Sequence, residues 1–254
     1  MTMGLRPLEA AHWLEIDDRR DAELALKSRL LTQVPEVVVA TRPPGHAPSE
    51  ELFDEVLAWL DTYAAGTVAA APRQGDHPVV AAARLVQEDL CVLVRDDVWR
   101  LQATCVCFPS RWSLATKIGR SLDEIHAPVP GYRDVLASAT TGVFDRLRGE
   151  RPFWRLNWTV LDDPALFQPE SAREAVPEDV NQWFFRVERQ TIRRLVATQA
   201  IVFTIRNYVC PIAELARQPE FLEHLRAGIE GAPPAMQEYK GWVGVARRVR
   251  DAVG

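Results

Sequence analysis

Five histidines occur in this 254-residue chain, and one of them has a setting unlike the rest. His126 follows the short acidic stretch Ser121-Leu-Asp-Glu-Ile125 and precedes Ala127-Pro-Val-Pro-Gly131. Pro128 and Pro130 restrict the backbone beyond it, and Gly131 permits a sharp turn. Such rigidity holds one ring in place. Imidazole is the side chain best suited to axial ligation of a haem iron or to general-base work near neutral pH. His46 and His77 lie in Pro-rich loops, His12 beside Trp13 and His224 on an amphipathic C-terminal helix, so surface or packing roles suit them better.

Arg111, Lys117, Arg120 and Arg133 bracket His126. Cations in this position pair with carboxylates such as porphyrin propionates, the guanidinium bidentately. A solvated helix face is the plain alternative. Further along, three strand-like segments carry polar side chains where a half-buried sheet would place apolar ones. Alternation puts Arg155 and Asn157 on one face of Trp154–Trp158, and Arg186, Glu188 and Gln190 on one face of Trp183–Thr191. In Val202–Tyr208, Arg206 shares a face with Thr204 and Tyr208, whereas Asn207 goes with Phe203 and Ile205. Polar groups buried on a sheet need partners, so their convergence suggests a lined pocket. Cross-strand ion pairs, such as Glu188 with Arg155 or Arg206, would also explain them.

The elements that must position these residues read as α+β. Ala22–Leu31 and the stretch from Ser49 through Leu52, Phe53, Val56, Leu57 and Leu60 have helical spacing, with loops at 41–49 and 66–78. Strands are expected at 90–94, 98–108, 153–161, 183–195 and 199–209, the last two joined by a short connection at Val196–Thr198. These five form one antiparallel sheet in a single domain spanning 1–254, with helical extensions at about 1–80 and 211–254. A net charge of -5 and a pI near 5.6 argue against nucleic-acid binding. No run approaches bilayer length and the first residues lack signal-peptide order, so the cytoplasm is expected. Cys91, Cys105, Cys107 and Cys210 make no CxxC, CxxCH or zinc-like spacing and read as small buried hydrophobes.

The motifs VQEDLCVL, CFPSRW, IHAPVPGY, RLNW, DDPALFQP, FRVERQTI, FTIRNYV and EYKGW, from about Trp13 to Trp242, resemble the haem-dependent oxidative N-demethylase family, specifically its haem-carrying α-subunit. The resemblance implies a PAS-like sheet with flanking helices and a b-type haem held without thioether bonds, consistent with the missing CxxCH. His126, in IHAPVPGY, would be the iron ligand, with Arg111, Lys117 and Arg133 as cofactor-binding cations. The implied activity is a monooxygenase-type, oxygen- and reductant-dependent removal of a methyl group from a small amine, releasing formaldehyde. Arg206 first and Asn157 second would stabilise developing negative charge, and Glu188 would pair with the ammonium group or take its proton. Electrons would come from external flavin and iron–sulfur partners, since the chain has no GxGxxG loop and no cysteine cluster. Two other readings stay open: a haem-based PAS-like sensor or ligand-binding protein without turnover, and a scaffold that has lost haem.

Overall fold

The computed structural model describes residues 4–66, 75–132, 137–147, 151–170 and 179–253. Five long strands rich in β-branched and aromatic residues form the middle of one antiparallel sheet: β3 (Asp89–Arg95), β4 (Trp99–Cys105), β5 (Phe153–Leu161), β6 (Phe184–Arg194) and β7 (Ile201–Pro211). Two short strands, β1 (Arg6–Pro7) and β2 (Val39–Thr41), close its edges, giving the order β1-β5-β6-β7-β3-β4-β2. The expected five-stranded sheet is therefore corrected to seven strands. Two- and three-residue segments are too short to show alternation, and a proline in a strand is confined to an edge such as β1. Both added strands fall within the stretch expected to be helical.

Helices cover both faces. On one side α1 (Arg20–Gln33), α2 (Pro35–Val38), α3 (His46–Tyr63) and α4 (Pro78–Ala83) enclose a core with Leu90, Val92, Ala103, Cys105 and Val202. Helix α3 begins inside the stretch read as a loop. On the other side α5 (Leu122–Ile125) and α6 (Ala137–Arg146) cover Cys91, Leu93, Leu101, Ile192 and Ile201. A third cluster, around Trp183, packs α7 (Ile212–Leu215), α8 (Pro219–Glu230) and α10 (Val245–Val253) against the far end of β5 and β6, while α9 (Pro234–Tyr239) leads to Trp242. Among the described residues no helix is long and apolar enough to cross a membrane.

The β6–β7 hairpin sets the positions that matter most for the site. Leu195 N donates to Ala200 O at 2.8 Å, so the connection is four residues, 196–199. Gln199 takes a left-handed φ of 60° there, which removes it from the expected strand. The resulting register places Glu188 opposite Asn207, and Arg206 opposite Arg189. Residues directly opposite in an antiparallel pair point to the same face.

Candidate functional site

Ser121 and Glu124 form a reciprocal capping box that starts α5. The helix is one turn long and ends on His126, whose backbone N donates to Leu122 O at 3.0 Å. Beyond it, Val129 N returns to His126 O at 2.8 Å and Tyr132 N to Val129 O at 3.1 Å, so the Pro-rich stretch is a compact series of turns. The imidazole stacks on Tyr132, with centroids 4.6 Å apart and planes at 13°. Its Nδ1 lies 2.8 Å from Leu122 O. A carbonyl oxygen can only accept, so Nδ1 carries the hydrogen. In the neutral ring the lone pair is then on Nε2, which has no partner among the described residues. Burial pushes the ring's pKa below its ordinary 6.5, and the charges of Arg155 and Lys117 act in the same direction. The ring is neutral at pH 7.

Lys117 reaches this helix from the preceding loop, its Nζ donating to Ile125 O at 2.9 Å, and burial lowers its pKa. Arg155 comes from β5 and donates through Nε to Gln190 Oε1 at 2.7 Å. Its charge acts on His126 and on Lys240, and it is itself influenced by Glu188 and Tyr132, so Arg155 joins the histidine segment to the polar face of the sheet.

That face carries Asn157, Glu188 and Asn207 in one cross-strand row. Glu188 Oε2 accepts from Asn157 Nδ2 at 3.1 Å and Gln190 Nε2 at 2.9 Å, leaving Oε1 without a donor among the described residues. Asn207 Oδ1 accepts from Arg186 Nη2 at 2.9 Å, which fixes the amide's orientation. Its Nδ2 is buried with no partner among the described residues. Arg186 is fully buried, and its other bonds go to the neutral carbonyls of Phe108 and Leu166. Lys240, after α9, donates to Asn157 Oδ1 at 3.0 Å and Trp158 O at 2.6 Å beside the stacked rings of Trp158 and Trp242. Burial pushes its pKa down to about 8.

The structure thus brings Asn157 and Glu188 together, whereas Arg206 does not join them. It points to the opposite face, where its guanidinium meets Asp17 and Glu23 at 2.7 Å each and stacks over Tyr208. Its placement as a donor in the site is corrected: the four-residue hairpin sends it to the other side. A cavity of about 430 Å³ opens on that side too, lined by Glu15, Asp17, Trp59, Tyr63 and Tyr208. Arg111 is corrected as well. It pairs with Asp162 and donates to Gln168 Oε1 at 2.9 Å, so it is already committed to protein groups. Arg133 lies outside the described residues. Asn207 completes the row, with Arg155 and Lys240 beside it. Residue alternation already placed Arg155 with Asn157, but the partner of Glu188 follows only from the hairpin length, and Lys240 was visible only as part of EYKGW.

Among the described residues there is no group of three or more His, Cys, Asp or Glu side chains able to hold a metal ion. A porphyrin iron asks for less, since the macrocycle supplies the equatorial nitrogens and the protein one axial donor. The residues present fit haem on that count. His126 offers a lone pair whose tautomer is set by Leu122 O, and Lys117 and Arg155 offer positive charge for its carboxylates. A model of the family described as haem-dependent oxidative N-demethylase, alpha subunit-like, matches residues 60–250, and the chain belongs to that family.

Proposed function

We propose that this chain is the haem-carrying subunit of an oxidative N-demethylase, and that it holds a b-type haem through His126 Nε2. The observation that carries the proposal is the 2.8 Å contact of His126 Nδ1 with Leu122 O, which leaves the lone pair on the other ring nitrogen, unpartnered among the described residues. When bound, haem would supply oxygen binding and redox chemistry that the side chains lack. The chain's own part is positioning and proton handling. Lys117 and Arg155 would pair with the propionates. Glu188 would hold the cationic amine through Oε1 and take its proton, because an amine nitrogen must lose its positive charge before it is readily oxidised. The buried Nδ2 of Asn207, without a partner among the described residues, would be the donor to developing negative charge, and the amide of Asn157 would hold Glu188 in place beside it. Five long strands in one antiparallel sheet under helices support the PAS-like reading. Electrons would come from a separate flavin and iron–sulfur partner.

The test is reconstitution with hemin, followed by absorption spectroscopy of the wild type and His126→Ala. The variant should lose or strongly alter the Soret band with unchanged far-UV circular dichroism, and added imidazole should restore the band. Reductant, oxygen and small methylamines should then yield formaldehyde with the wild type. An unaltered Soret band in His126→Ala would overturn the ligand assignment, and haem binding without formaldehyde would favour a sensor.

A further inference from the structure

Three arginines from separate segments converge on one stretch of β4. Arg42 N donates to Gln102 O at 2.7 Å, Gly119 N to Leu101 O at 2.7 Å, and Leu101 N to Arg120 O at 3.1 Å. Arg100 forms an isolated antiparallel bridge with Ser121. Backbone bonds therefore fix Arg42, Arg100 and Arg120 around a cavity of about 300 Å³ whose lining also includes Gly119 and Glu124. Glu124 is the one carboxylate in the lining among the described residues. It is shared between Arg120 at 3.1 Å and Arg100 at 3.7 Å, and it also accepts from Ser121 N at 2.8 Å. Asp97 reaches Arg100 from outside the lining at 3.4 Å. Arg42 has no carboxylate partner among the described residues. Gly119 has φ +75°, and a Cβ there would come within 2.4 Å of Arg42 Cζ, so the guanidinium occupies the space a side chain would fill.

The cavity is concave, positively charged in excess of its carboxylate, and lined by planar groups that donate paired N–H bonds. A carboxylate ligand would neutralise one charge. A tetrahedral dianion offers oxygens to guanidinium groups arriving from three directions and offsets two charges. We propose that this cavity binds a phosphate dianion, either free phosphate or the phosphate of a small monoester. The proposal does not depend on the haem reading. Its occupant would tie together β4, the chain after β2 and the loop before α5, the segment that ends on His126.

Isothermal titration of the full chain with inorganic phosphate, at ionic strength held constant with sodium chloride, tests it. Saturable one-to-one binding is expected, weakened about tenfold or more by Arg42→Ala, whose side chain is exposed, and less by Arg42→Lys. Gly119→Ala should weaken it as Arg42→Ala does, by displacing the guanidinium. Arg226→Ala, on α8 and paired with Glu230, should leave the affinity unchanged. Tighter binding of methyl phosphate than of phosphate would assign the ester, and equal or weaker binding the free anion. Heats that do not saturate, that chloride alone reproduces, or that survive Arg42→Ala unchanged would overturn the proposal.

Discussion

Glu188 stands opposite Asn207 across the β6–β7 ladder, while Arg206, one residue earlier, faces the other side of the sheet. Adjacent residues of one strand thus belong to two different environments. Asn207 accepts a hydrogen bond from the buried Arg186, and Arg206 is buried among carboxylates from the N-terminal region.

Removing the Arg206 charge should act on stability. Arg206→Ala leaves Asp17 and Glu23 without their common cation in a buried setting, and breaking such a pair costs about 3–5 kcal/mol. Urea denaturation should show the loss, and adding Glu23→Gln to the variant should recover part of it. An Arg206→Ala protein as stable as the wild type would contradict the burial argument.

Substitutions on the opposite face should spare the fold and the Soret band yet impair turnover. On the proposed function Glu188→Gln removes the negative charge that would face the amine's ammonium group, so the KM for the amine should rise by about tenfold or more. Asn207→Ala removes a preorganised donor and should lower kcat by about a hundredfold. Formaldehyde release measured against amine concentration separates the two effects, and a common loss of both parameters through unfolding would be visible by circular dichroism.

Stability should fall as pH rises through the neutral range, for a reason located at Glu88. Burial pushes this carboxyl from its ordinary 4.5 up to about 7, and its Oε2 has no hydrogen-bond partner among the described residues. The folded state binds the proton more tightly than the unfolded chain. Its contribution is therefore full below pH 4.5 and is lost as pH rises through about 7. Asp89, raised by burial to about 6, acts in the same direction. Glu88→Gln should flatten the dependence and stabilise the protein at alkaline pH by about 1–3 kcal/mol, measured as urea midpoints across the pH range.

Lys240 predicts a spectroscopic titration. Its ammonium lies 5.7 Å from the Trp158 ring and 4.9 Å from Trp242, and burial brings its pKa down to about 8. Indole emission should change as the proton leaves, with a midpoint near 8, and Lys240→Met should abolish that step while the remaining tryptophans keep their emission.

The five long strands were legible because each runs for seven or more positions and carries recurrent apolar, β-branched or aromatic residues, from Asp89–Arg95 to Ile201–Pro211. Side-chain alternation within each strand was legible too, and the structure keeps Arg155 with Asn157, and Arg186 with Glu188 and Gln190. What alternation does not contain is the pairing between strands. A three-residue connection at 196–198 would set Glu188 opposite Arg206; Gln199 in the left-handed region lengthens it by one and exchanges Arg206 for Asn207. The edge strands at Arg6–Pro7 and Val39–Thr41 were hidden because so few residues carry no period. Arg111 looked like a cofactor cation because its partner Asp162 is distant in sequence, and nothing local announces the pair.

The carboxylates that neutralise Arg206 and Arg189 come from Asp17, Glu23 and Glu15, all upstream of the region matched by the family model. Trp13, fully buried against Arg193, lies upstream as well. A gene fragment cut to residues 60–250 would retain the recognisable motifs while stripping two sheet arginines of their counter-charges and opening the α1 side of the core. The stretch matched by the family model and the stretch that neutralises the sheet's buried arginines therefore differ in this protein, and a fragment meant to keep those pairs includes the N-terminal segment.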